Sequence, residues 1–223
     1  KYLSVIKGVE AGIENLAGLE KCYSLAELDL RGNAIVDLAP LSGLKYLQSV
    51  SLSDNRITDI APLAGLTRMQ YLELSGNQVE DIGPLANLTA MRSLYLSGNK
   101  VKDISVVRGM EKIWSLYLDG NQVTDLSPIR ELRFLSSLDL KGNGIEDLSS
   151  IANFQDLNFL FLQENRLTDL TVLVDMAKRD MEGRRNFAPF WRIYLRDNPL
   201  SDAARNEQIP ALQQMGARID FEY

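Results

Sequence analysis

Carboxylates recur along this chain at a fixed spacing. Asp37, Asp59, Asp81, Asp103, Asp125, Asp147 and Asp169 follow one another every 22 residues, and Asp202 extends the series after 33. A row of like charges invites a calcium site. Calcium takes about 6–8 oxygens around one ion, however, and this spacing offers one carboxylate per period. The stronger reading is structural: each Asp precedes a short helical return and can accept its first free N–H groups. Pro40, Pro62, Pro84 and Pro128 stand three residues further on, where a fixed φ suits such a return. Histidine is absent, which removes the commonest general base and metal ligand, along with His-dependent triads and zinc centres. A serine-rich face without a base is not a nucleophile site. Cys22 is the only cysteine, so no internal disulfide can form. It shares a column with Leu44 and Leu66, where a small buried hydrophobe fits better than a reactive thiol. These residues predict no catalysis, no cofactor and no metal.

The elements behind this spacing are set by asparagine and leucine. Asn33, Asn55, Asn77, Asn99, Asn121, Asn143 and Asn165 recur every 22 residues, and Asn198 follows after 33, one period plus an 11-residue insertion. Apolar pairs stand five and three residues before each Asn, from Leu28/Leu30 to Ile193/Leu195. Period two reads as a short strand with these side chains inward. Further apolar columns, eight before the Asn (Leu25 to Phe190), two after it (Ile35 to Leu200), and beginning at Leu38, Leu41 and Leu44, suit a tight 3₁₀-like return. One repeat buries too little to stand alone, so stability belongs to the stacked array. An inward Asn carboxamide can both donate to and accept from backbone groups left unpaired where the strand ends.

The segment from Leu72 to Leu85 reads L-x-L-x-x-N-x-V-x-D-I-x-P-L. This pattern resembles the 22-residue class of the leucine-rich-repeat family, which includes bacterial internalins and phosphatase-regulating eukaryotic members, over roughly residues 13–200. The resemblance implies an α/β repeat solenoid: a right-handed arc with a parallel concave sheet and convex returns of 3₁₀ or short-helix form. It also implies a protein-recognition role. Compared with typical internalins, the sequence given shows no clear helical N-terminal cap and no attached immunoglobulin-like module.

One repeat domain is expected over 1–223, with a degenerate or truncated first coil at 1–12 around Val5 and Ile6, repeats over 13–200, an insertion at about 176–189 and a cap over 201–223. The last regular return lengthens into a helix over Val172–Glu182, with Gly183 at its C′ position. The final repeat strand is expected at Trp191–Arg196. In the cap, Ser201 starts one short helix and Pro210 another that Gly216 ends, and Ala217–Phe221 forms a closing edge strand whose Asp220 and Glu222 discourage further stacking.

Residues six, four and two before each Asn point outward from the sheet. The first coils are small or charged there, with Glu27, Asp29, Arg31, Ser49, Ser51 and Ser53; aromatic residues follow at Tyr71, Tyr95, Tyr117, Phe159, Phe161 and Tyr194. Trp114 and Trp191 stand one residue ahead of the first outward column, at the sheet margin. Exposed apolar patches mark binding sites, and Tyr, Trp and Arg carry interface energy. The expected partner-binding set is therefore Tyr71, Tyr95, Trp114, Tyr117, Phe159, Phe161, Trp191, Arg192, Tyr194 and Arg196. The competing reading folds the insertion over this end and buries the aromatics. Arg184, Arg185, Arg192 and Arg196 raise a phosphate site, but Asp175, Asp180, Glu182 and Asp197 lie nearby and the net charge is −6, so nucleic acid is not the expected partner. No apolar run approaches the length of a membrane span, and Lys1-Tyr2-Leu3 opens directly into periodic sequence with no signal-peptide pattern in view, so the expected compartment is either cytoplasmic or exported. The expected function is a non-catalytic protein-binding module, monomeric in isolation, either a free adaptor or the recognition domain of a longer bacterial protein. The alternative is a regulatory subunit gripping a phosphatase or GTPase, by analogy with other family members. A designed scaffold is a further reading, which the irregular insertion and aromatic cluster argue against.

Overall fold

A computed structural model of the chain describes residues 3–183 and 185–221. The expectations placed on Arg184 and Glu222 lie outside the described residues. Ten three-residue strands form one parallel sheet in strict sequence order. They are β1 (Val5–Lys7), β2 (Glu27–Asp29), β3 (Ser49–Ser51), β4 (Tyr71–Glu73), β5 (Ser93–Tyr95), β6 (Ser115–Tyr117), β7 (Ser137–Asp139), β8 (Phe159–Phe161), β9 (Arg192–Tyr194) and β10 (Arg218–Asp220). Register never slips: Glu27 pairs Ser49, Ser49 pairs Tyr71, and so on to Phe159 against Arg192 and Arg192 against Arg218. The weak first coil contributes a true strand, with Ile6 opposite Leu28. Each repeat strand from β2 to β9 places one apolar residue inward, from Leu28 through Leu94 to Ile193, all 0 % exposed, and turns its two neighbours to the concave surface.

The returns are 3₁₀ turns, among them Ala39–Leu41, Gly83–Asn87 and Ser149–Ile151. Their apolar residues meet the backs of the strands in one continuous core. The aspartates cap these turns. Asp37, Asp59, Asp81, Asp103, Asp125 and Asp147 each accept the N–H two residues on at 2.7–2.8 Å, and Asp169 does so at 2.9 Å. The expected series breaks at Asp202: Ser201 caps instead, its Oγ accepting from Ala204 N–H at 3.2 Å.

The asparagines bind coil to coil. Asn99 Nδ2 donates to Leu96 O in its own coil and to Leu74 O in the preceding one, both at 2.9 Å, while its Oδ1 accepts from Val79 N–H at 2.9 Å. Leu74 O also receives Asn77 Nδ2, so each such carbonyl is shared by two successive asparagines. The residue just before each Asn adopts left-handed φ. Glycine holds this place at Gly98 (φ 62°), but Asp54 (54°), Glu164 (57°) and Asp197 (59°) also adopt it, against the usual cost to a side chain.

Where the eighth return should lie, helix α1 (Thr171–Glu182) forms and buries Leu173, Val174, Met176 and Ala177. Gly183 is not the expected left-handed C′ residue: its φ is −106°, and Arg185 takes the positive value of 55° instead. The insertion also reassigns the apolar columns. Phe190, expected inward, is 68 % exposed, whereas Phe187 (2 %) and Trp191 (0 %) are buried. Cys22 is half-buried against the core rather than enclosed. In the cap, the two expected short helices are one helical run over 202–214, with a π segment at Ala204–Gln208 passing directly into α2 (Ile209–Gln214). Pro210 falls within the run's second part, where the wider π turn precedes it. Gly216 (φ 98°) then turns the chain into β10.

Candidate partner-binding face

Strand pairing aligns the concave residues in columns. Tyr95, Tyr117, Asp139, Phe161 and Tyr194 occupy one column from β5 to β9, and Tyr71 joins them diagonally from β4. Their rings form a row. Centroids lie 5.4 Å apart for Tyr71–Tyr95, 4.8 Å for Tyr95–Tyr117, 6.4 Å for Tyr117–Phe161 and 4.6 Å for Phe161–Tyr194, the last pair parallel within 8°. These are favourable aromatic separations, and the rings half-bury one another. Burial, helped by the neighbouring Glu73 charge, pushes the Tyr71 phenol up to about 12.

Asp139 interrupts the row. Tyr117 and Phe161 come from strands two apart yet approach across it, and the Tyr117 hydroxyl meets Ser137 Oγ at 2.8 Å. Burial raises the Asp139 carboxyl to about 6, against a weaker opposing pull from the Lys141 N–H that donates to it at 3.0 Å. The Lys141 ammonium itself lies 3.0 Å from Glu164.

At the β8–β9 end, Arg192 lies over the Phe159 ring with 5.5 Å to its centroid, and Phe159 remains 38 % exposed. Arg196 Nε donates to Asp220 Oδ1 at 2.6 Å. The insertion folds on the flank instead of over the aromatic row. The buried Asp180 carboxylate accepts the N–H groups of Asn186 (2.9 Å), Phe187 (3.2 Å) and Ala188 (2.9 Å), and Phe187 packs edge-on against Trp191 at 4.9 Å. A cleft of about 660 Å³ remains beside it, lined by Arg130, Phe154, Met176 and Phe187 among others.

Nine of the ten expected site residues thus lie on the concave sheet or its margin, Trp114 at 57 % exposure. Trp191 does not: the insertion encloses it, and it belongs to the core. Sequence reasoning missed the exposed Tyr46, Phe134 and Phe190. Tyr46 and Phe134 stand nine residues before Asn55 and Asn143, where other coils carry Arg68 or Lys112. An aromatic residue in that polar column was the available signal. Arg68 covers the Tyr46 ring at 4.6 Å.

The model for paired leucine-rich repeats matches residues 23–65, 45–87 and 67–109, and that for a single leucine-rich repeat matches 131–149. Internalin C2 from Listeria monocytogenes is 31 % identical, over 78 % of this chain and 76 % of that one, with a TM-score of 0.76. The chain belongs to the leucine-rich-repeat family. Within the chain, Asn recurs in each repeat coil, and Pro40, Pro62, Pro84 and Pro128 set four of the returns. Two other repeat proteins share the fold. A Leptospira interrogans leucine-rich-repeat protein is 24 % identical over 93 % of this chain and 57 % of that one, with a TM-score of 0.78. The ectodomain of an Arabidopsis thaliana membrane receptor kinase, solved in complex with Casparian strip integrity factor 2, is 23 % identical over 84 % of this chain and 23 % of that one, with a TM-score of 0.71. No curated protein matches the sequence. Leucine-rich-repeat domains generally serve protein–protein interaction. Among the described residues no helix is long and apolar enough to cross a membrane.

Proposed function

We propose that this leucine-rich-repeat chain is a recognition module that binds a protein partner on its concave sheet and has no catalysis of its own. The observation that carries the reading is the aromatic row from Tyr71 to Tyr194, continuous at 4.6–6.4 Å on the outward side of the strands. Outward positions in β3 are Ser49 and Ser51, which is all that solubility asks of such a strand. Rings in the same columns of β8 and β9 add apolar area without adding core. Rigid aromatic side chains lose little freedom on contact and dominate interface energetics. Arg192 and Trp114 border the row.

The test is capture of partners from source lysate by the wild-type chain and by a Phe161→Ala/Tyr194→Ala double variant. Both residues point away from the core, so the variant is expected to keep its circular dichroism spectrum and lose its partner. Equal capture by both proteins, or capture lost only together with the fold, overturns the assignment.

A further inference from the structure

We propose that the centre of the concave face receives a cationic side chain, lysine or arginine, of the protein partner, held against Asp139 and Asp119 and flanked by the rings of Tyr117 and Phe161. The inference rests on the concave-face reading and adds the charge of the contact at its middle.

Asp139 alone breaks an aromatic column that otherwise runs from Tyr95 to Tyr194. Strands two apart are separated by about 9.6 Å, yet the Tyr117 and Phe161 centroids lie 6.4 Å apart. The rings therefore lean together over the carboxylate and shield it from water. Such a carboxylate gains from a counter-ion, and the one cation that acts on it, Lys141, is shared with Asp119 and with Glu164. The nearby Lys141 ammonium is held by Glu164 at 3.0 Å. Asp119, close enough to add its charge to that of Asp139, accepts the Ser97 hydroxyl and shares the field of Lys141. Elsewhere on the sheet Glu27 meets Lys7, Asp29 meets Arg31 and Asp220 meets Arg196, while Glu73 accepts the Ser75 N–H at 3.0 Å. The two acids that stand together are those beside the rings of Tyr117 and Phe161.

An apolar anchor docking here would dry two carboxylates that share one lysine with Glu164, at a cost that opposes binding. A hard metal ion would gain nothing from phenyl and phenol walls. An ammonium or guanidinium gains from both, by charge-assisted hydrogen bonds to the carboxylates and by attraction to the ring faces. Seating it between the rings needs a side-chain rotation that opens the 6.4 Å gap, a change common at interfaces.

The experiment is panning of a displayed random-peptide library on the wild-type chain at neutral pH and physiological salt. The bound peptides are then resynthesised with each Lys or Arg replaced by Met and titrated against wild type, Asp139→Asn and Phe161→Ala/Tyr194→Ala. The isosteric Asp139→Asn change keeps the packing, and its melting curve confirms that it folds. The expected result is one shared basic position whose loss weakens binding about tenfold, matched by a similar loss in Asp139→Asn and little further loss when both are combined. Peptides that need Phe161 and Tyr194 but no basic residue, or that bind Asp139→Asn equally, overturn the inference and leave the concave-face reading standing. Peptides indifferent to all these variants, or no enrichment at all, overturn both.

Discussion

Asp139 carries a proton-linked consequence for stability. Its folded carboxyl titrates at about 6, above the ordinary 3.8, so the native state binds the proton more tightly than the unfolded chain. Its protonated form is the favoured one in the fold: this contribution is complete below the unfolded value and is lost as pH rises through 6. Allowing for solvent screening at a half-buried site, the loss is about 1–2 kcal/mol. Asp139→Asn is therefore expected to raise the denaturation midpoint at pH 7 and to flatten its slope between about pH 4 and 6 in urea titrations. The caps act in the opposite sense. Hydrogen bonds from Ser127 to Asp125, Ser149 to Asp147 and Gln208 to Asp169 lower those carboxyls, so the stability they add is present above the ordinary carboxylate range and fades as pH falls below it. A third residue-scale effect concerns Asn99. Without its side chain Leu74 O keeps Asn77 and Leu96 O keeps Asn121, but the Val79 N–H loses its acceptor. Asn99→Ala is expected to cost about 1–3 kcal/mol in chemical denaturation, the penalty of one orphaned buried donor. The double sharing of carbonyls was not legible in the sequence, because the period shows which residue repeats and not which coil it reaches.

Among the elements, the regular coils and the helix expected over Val172–Glu182 were readable, and the part of the insertion after Gly183 was not. In a regular coil each position has seven or so precedents along the chain, so Leu94 and Asp103 inherit their places from Leu72 and Asp81. The insertion has no precedent. Counting back from Asn198 put Phe190 inward and Trp191 at the margin, but the extra residues let Phe187 fill the core and drew Trp191 in behind it. That segment is organised by one carboxylate, Asp180, with three N–H groups on it. Asp180→Ala removes the shared acceptor and is expected to loosen the segment without unfolding the sheet. The readout is faster proteolysis near Arg185 and a red-shifted tryptophan emission in a Trp114→Phe background, where Trp191 reports alone. An unchanged emission would sink this account of the loop. The concave aromatics were legible because outward columns follow directly from strand period. Their continuity was not, since ring leaning from β6 to β8 depends on the gap at Asp139.

At the scale of the molecule, stability is distributed along a line of nearest-neighbour contacts. The cap closes one end of that line: α2 buries Ile209 and Leu212, and β10 pairs with β9. A chain ending at Leu200 would lose this cover and leave β9 as an open edge, so it is expected to lower the unfolding midpoint and to associate on size-exclusion chromatography. A monomeric, equally stable truncation would show that the cap is dispensable. The unbroken register has one more consequence, which is metric. The aromatic row runs from β4 to β9, five strand steps, or about 24 Å at the usual spacing between strands. An extended segment needs about seven residues to span that distance. The sheet is in this sense a ruler, graduated in coils, and a ligand shorter than its marked length would leave rings at one end uncovered.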